Sequence, residues 1–136
     1  MGISGTVSHA VLLRCRTPSG RRTTLSATLA YADLDPYAVR VVFHGPRDDV
    51  AWLVDRELLI AGLEVAVGEG DILVRPRRSW EAIEIRFRSP TGCLVTALPR
   101  TELGAFLAAT LDVLALGGER VDADELLVAL LASGTE

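Results

Sequence analysis

The chain has no lysine, no asparagine and no glutamine, and all of its positive charge comes from arginine. This skew reads as the codon usage of a GC-rich genome and says little about mechanism. Cysteine is almost missing too. Cys15 and Cys93 are the only two, whereas a small secreted domain stapled by disulfides carries more of them at closer spacing. Both read as reduced thiols packed in strands of a cytoplasmic protein. The two histidines, His9 and His44, show no HxxxH spacing and the cysteines no CxxC, so no local metal motif exists. A GxSxG elbow is absent. "GEGD" at 68–71 lacks the lysine and following helix of a phosphate loop and reads as a tight turn. No run reaches the roughly 18 apolar residues of a membrane span, since the longest, "LGAFLAATLDVLAL", carries Asp112. No secretory signal is expected, because no basic region followed by an apolar run opens the chain. "MGISGT" fits a myristoylation pattern, but a loose end before the first strand is the plainer reading.

What is present is apolar and strand-like. The 136 residues are 49% hydrophobic and carry a net charge of −4, with a mean hydropathy of +0.32. That length reads as a single domain, 1–136, burying roughly two-thirds of its unfolded surface. The apolar surplus points to a subunit interface. A net acidic domain lacks the overall field of a general phosphate-backbone binder.

Period-2 alternation dominates the first half. "TVSHAVLLRCR" places Val7, His9, Val11, Leu13 and Cys15 on one face, and "TTLSATLAY" returns as a hairpin with Leu25, Ala27, Leu29 and Tyr31 inward. "DLDP" forms a turn. "YAVRVVFH" is a third strand with Val39, Val41 and Phe43 inward, and "VAWLV" a fourth. In "DRELLIAGL" the period switches to that of a short helix, with Asp55 as N-cap and Gly62 at its end. "LEVAV", "DILVRPR", "AIEIRFRS" and "CLVTAL" are further strands, with Ile83, Ile85 and Phe87 inward and Glu84, Arg86 and Arg88 outward. A helix follows Pro99, with Leu103, Phe106, Leu107, Thr110, Leu111 and Leu114 on one stripe. Asp122 and Glu125 open a second helix in a capping-box-like arrangement. The expected class is α+β: mostly antiparallel strands, one short internal helix and two C-terminal helices.

Three groupings compete for a functional role. The stretch 31–49 gathers Tyr31, Asp33, Asp35, Tyr37, His44, Asp48 and Asp49, and a metal site there needs His9 brought to His44. Two turns flanking a buried strand explain the same residues without any chemistry. A second grouping, Arg75, Arg77, Arg78, Trp80, Arg86 and Arg88, gathers guanidiniums and an indole on one patch. Such a patch suits phosphates and stacked bases of single-stranded nucleic acid or a protein partner. It also fits a solvated sheet face whose charges pair with Glu84, Glu69 or a neighbouring subunit. No catalytic residue, metal or cofactor is expected.

The ordered set "DPYAV…FH" at 35–44, "W" at 52, "LL..GL" at 58–63 and "GDILVRP" at 70–76 resembles the SsgA-like proteins, small sporulation-specific cell-division proteins of actinomycetes, and is closest in kind to the SsgB branch. The similarity runs from the first strand to the second-last helix. Its matching positions are Asp35, Pro36, Tyr37, Phe43, His44, Trp52, Leu58, Leu59, Gly62, Gly70, Asp71 and Pro76, most of them structural in character. The resemblance implies a non-enzymatic role in septum placement and a cytoplasmic protein at the division septum. Its implied partners are the tubulin-like division protein FtsZ and other SsgA-like proteins. It also implies a Whirly-like fold of two sheets and a homotrimer. Single-stranded nucleic-acid binding, the use of that fold elsewhere, is the alternative, although no nucleic-acid partner is expected. Two departures stand out: Asp55 replaces a residue that is commonly small, and "RSWEAIEIRF" is unusually basic and aromatic.

Overall fold

The structure is a computed structural model that describes residues 5–77 and 81–114. Arg78, Trp80 and the helix expected from Asp122 onward lie outside the described residues.

A long hairpin starts the fold. Strand β1 (Thr6–Arg16) pairs with β2 (Arg22–Ala32) over its whole length, from Thr6 opposite Ala32 to Arg16 opposite Arg22. Side chains alternate between faces in a strand, so Val11, Leu13 and Cys15 share the buried face with Ala27, Leu29 and Tyr31. His9 lies on the inward side, opposite Leu29, but near the open end of β1 it is exposed rather than buried, its ring 6.1 Å from that of Phe106. The turn holds because the Gly20 N–H donates to the Thr17 carbonyl (2.8 Å) and the Thr17 hydroxyl accepts from the Arg21 N–H (3.1 Å). Gly20 sits at φ 87°, a conformation that costs glycine little.

Strands β3 (Ala38–His44) and β4 (Asp49–Asp55) extend the hairpin into an antiparallel meander, burying Val39, Val41, Phe43 and Val54. The short helix α1 (Arg56–Ala61) follows at once, its first turn capped by the Asp55 carboxylate accepting from the Glu57 N–H at 2.9 Å. Strands β5 (Val67–Glu69), β6 (Ile72–Arg77), β7 (Ala82–Ser89) and β8 (Gly92–Pro99) form a second meander, and α2 (Arg100–Val113) ends the described fold. The strand expected over "LEVAV" is shifted. Helix-type bonds from the N–H groups of Leu63, Glu64 and Val65 to Ile60 and Ala61 absorb that segment, and β5 begins only where Val67 can pair with Val74.

Two sheets were expected, but hydrogen bonding is continuous in the order β4-β3-β2-β1-β8-β7-β6-β5. The junction is narrow: β1 meets β8 only where Arg14, Cys15 and Arg16 oppose Ala97, Thr96 and Val95. The sheet therefore behaves as two four-stranded halves that curl toward each other. Phe43 of β3 meets Phe87 of β7 edge-to-face at 5.3 Å, and Trp52 of β4 lies 5.1 Å from the same ring. Helix α2 fills the interior with Leu103, Phe106, Leu107 and Thr110, all buried. The hairpin tips also touch, since a Cβ on Gly92, at φ 145°, would fall 2.7 Å from Pro18.

Candidate interaction surface

The positions that carry the resemblance build a structural joint. The Tyr31 hydroxyl donates to the Pro36 carbonyl at 3.0 Å, fastening the turn that Asp35 opens with its N–H on the Ala32 carbonyl. The Tyr37 carbonyl then accepts from the Arg56 N–H at 2.8 Å. Arg56 itself is fully buried. Its guanidinium lies 4.8 Å from the centre of the Tyr31 ring and donates through Nη1 to the carbonyls of Thr110 (3.1 Å) and Leu114 (2.6 Å). Those carbonyls close α2, where partial negative charge gathers and a cation is favoured. The turn at 33–37, α1 and the end of α2 are thus held by one arginine. Leu59 is buried beneath α1, and Gly62 lets that helix approach β6: a Cβ there would lie 2.2 Å from Val74 Cγ1. Gly70 turns β5 into β6 at φ 59°, and the Asp71 carbonyl accepts from the Arg88 N–H at 2.9 Å. Leu58 is half-buried against the core, and Pro76 is half-buried in β6 opposite Ile83.

His44 faces the other way. Its Nε2 lies 2.7 Å from the Thr28 hydroxyl and its Nδ1 3.3 Å from the Asp49 carboxylate, bridging β2, β3 and β4 on the outer face. His9 sits on the opposite face with the inward series of β1, so the metal site that required both histidines has no geometry to form. Among the described residues no group of three or more His, Cys, Asp or Glu could hold a metal ion. Cys15 is packed in the core, and burial pushes its thiol pKa up.

Of the arginine grouping, Arg75 and Arg77 of β6 and Arg86 and Arg88 of β7 lie on the same outer face, the first three around a buried acid. Glu84 points to the outer face of β7, as the alternation requires, yet is only 1% exposed. Arg86 reaches its Oε2 at 2.6 Å and Arg75 at 3.1 Å, while Arg77 lies 3.3 Å from Oε1. Burial pushes the Glu84 carboxyl up, but the hydrogen bonds and charges of Arg86 and Arg75 outweigh it and hold the pKa below the usual carboxylate range. All three arginine contacts run through Nε, and the side chains remain 42%, 39% and 35% exposed for Arg75, Arg77 and Arg86. Guanidinium surface is therefore presented to solvent in a fixed arrangement with an excess of two positive charges.

Sequence reasoning missed the rest of this face. Across β8, Arg86 opposes Val95 and Glu84 opposes Ala97, and these oppose Arg16 and Arg14 of β1. Arg16 in turn opposes Arg22 of β2. Arg14, Arg16, Arg22 and Arg88 are exposed. Among the described residues, seven arginines thus gather in one patch of the outer face of a net-acidic protein. The alternation of "LLRCR" placed Arg14 and Arg16 outward, but only the β1–β8 pairing joins them to Arg86 and Arg88.

Comparison with known proteins agrees with this fold. Residues 25–119 match the family model described as Streptomyces sporulation and cell division protein, SsgA. The sporulation-specific cell division protein SsgB of Frankia casuarinae is 33% identical over 135 residues, covering 96% of this chain and 94% of its own. A solved structure reported with SsgB mutations that correlate to longitudinal cell division during sporulation of Streptomyces coelicolor superposes with a TM-score of 0.79 at 34% identity, covering 88% of this chain and 95% of that one. The crystal structure of an SsgA-like sporulation-specific cell division protein from Thermobifida fusca gives 0.81 at 29% identity, covering 95% and 98%. With the described fold and most of the chain's length matched in this way, the chain belongs to the SsgA family of sporulation and cell-division proteins and stands close to SsgB.

Proposed function

We propose that this protein is a non-enzymatic division adaptor of sporulating cells, which helps to position the septum and recruits the tubulin-like protein FtsZ together with other SsgA-like proteins. It works in the cytoplasm at the septum, as a homotrimer whose curled half-sheets form a Whirly-like unit. The observation that supports this reading most is near full-length similarity to proteins named for sporulation-specific cell division, at 33% identity to the Frankia SsgB. The outer face adds a physical reason. It offers ordered, solvent-facing guanidiniums, and arginine is enriched where protein interfaces derive their binding energy. Exposed Leu12 and Leu53, on the outer face of the first half-sheet, are apolar surface available to a subunit contact.

The test is localisation and assembly. A fluorescent fusion in sporulating hyphae should appear at septal positions with FtsZ, and light scattering of the purified chain should give three times the monomer mass. Diffuse fluorescence throughout sporulation sinks the adaptor role, and a strict monomer sinks the trimer.

A further inference from the structure

The register of the second half-sheet places a strip of small apolar residues between two rows of arginines. On the outer face, β8 contributes Cys93, Val95 and Ala97. On one side of that strip stand Arg86 and Arg88 of β7, opposite Val95 and Cys93. On the other stand Arg14 and Arg16 of β1, opposite Ala97 and Val95. Arg75 and Arg77 of β6 widen the first row. Neighbouring strands lie about 4.8 Å apart and same-face residues recur about every 6.8 Å along a strand. The rows are therefore roughly 10 Å apart, with charges repeating at a two-residue period.

We infer that this strip is the docking surface for an extended acidic segment of a protein partner, lying along β8 with carboxylates paired to the flanking arginines and small apolar side chains on the half-buried Cys93 and Val95, beyond which Ala97 is buried. The inference rests on the adaptor reading and supplies its partner class. Three observations favour this occupant. Guanidinium forks match carboxylates in two-bond geometry, and an extended chain repeats its side chains at the same two-residue period as the rows. Glu84 fixes three of the arginines before any partner arrives, which lowers the ordering cost of association. Single-stranded nucleic acid fits less well, because binding it draws on aromatic platforms for the bases. Among the described residues, Tyr31, Phe43, Phe87 and Phe106 are buried, Trp52 packs against Phe87 on the inner side, and the exposed Tyr37 stands in the turn before β3 rather than on β1, β6, β7 or β8. The strip itself, Cys93, Val95 and Ala97, presents no ring.

The probe is a fluorescein-labelled decapeptide of alternating Asp and Val, titrated with the full chain at low salt and read by anisotropy. Controls are the Asn–Val counterpart and a labelled oligo-thymidine of similar length. The double variant Arg14→Glu/Arg88→Glu changes both rows without touching the arginines that hold Glu84, and Arg47→Glu makes a reversal on an exposed loop off this face. The expected result is saturable binding of the Asp–Val peptide that weakens as salt rises, at least tenfold loss in the double variant and none in Arg47→Glu. Three results overturn the inference: no binding of the Asp–Val peptide at low salt, equal binding by the folded double variant, or preferential binding of the oligo-thymidine. Septal localisation without peptide binding removes this inference alone, whereas peptide binding with diffuse localisation removes the adaptor role alone.

Discussion

Replacing Glu84 with glutamine should destabilise the protein and do so in a pH-dependent way. The carboxylate is buried, with hydrogen bonds from Arg86 at 2.6 Å and Arg75 at 3.1 Å and with Arg77 at 3.3 Å. A hydrogen bond to a charged group contributes about 1.5–3 kcal/mol. The arginines are more than a third exposed, so water screens part of this. Glutamine keeps the volume and one acceptor but removes the charge, leaving three guanidiniums together without a counterion. A loss of about 2–3 kcal/mol is expected at neutral pH, a substantial part of a domain stability of about 10 kcal/mol. Urea unfolding at pH 7 reads this directly: with a slope of about 1.5 kcal/mol per molar, the midpoint should fall by about 1.3–2 M. The pH dependence has a defined sign. The folded pKa of Glu84 lies below its unfolded value, so the unfolded state binds the proton more readily. The contribution is complete above the unfolded value, about 4.3. It is lost as pH falls from there through the folded pKa. The gap between wild type and Glu84→Gln must therefore shrink on acidification. An unchanged midpoint at pH 7, or a gap that widens as pH falls, refutes this account of the cluster.

Other substitutions test the joint. Arg56→Leu removes the donor to the carbonyls of Thr110 and Leu114 and should cost about 3–5 kcal/mol by denaturant titration, with Arg56→Lys restoring only part of it. Gly62→Ala forces a Cβ into Val74, itself fully buried, and should cost about 1–3 kcal/mol, whereas Gly68→Ala, with 3.4 Å of clearance, should cost less in the same assay. Asp55→Ala removes the cap on α1 and should lower stability by about 1 kcal/mol, measured as a drop in thermal midpoint.

Local pattern made much of the fold legible. The alternation in β1, β2, β3 and β7 identified the buried faces, because Val39, Val41 and Phe43 or Ile83, Ile85 and Phe87 need only their own strand to declare them. Asp55 was legible as a cap for the same reason. What depended on distant partners was not. Nothing in "DRELL" marks Arg56 for burial, because its acceptors lie 54 and 58 residues further on. Glu84 alternates outward and is buried only because arginine side chains from β6 and β7 close over it. The single sheet turns on a three-residue pairing between β1 and β8, and that pairing gives the arginine face its second row. Equal alternation on eight strands does not specify which edges meet. The candidate surface was therefore half visible: Arg75, Arg77, Arg86 and Arg88 were named from local clustering, while Arg14 and Arg16 required the register.

The central claim is that the protein recruits a division partner through the arginine face across β6, β7, β8 and β1. Its most direct test is sedimentation with FtsZ filaments assembled with GTP, comparing the wild-type chain with folded Arg14→Glu/Arg88→Glu. The account predicts that the wild type pellets with the filaments and the double variant stays in the supernatant. Wild-type protein left in the supernatant, or a double variant that pellets equally well, would contradict it.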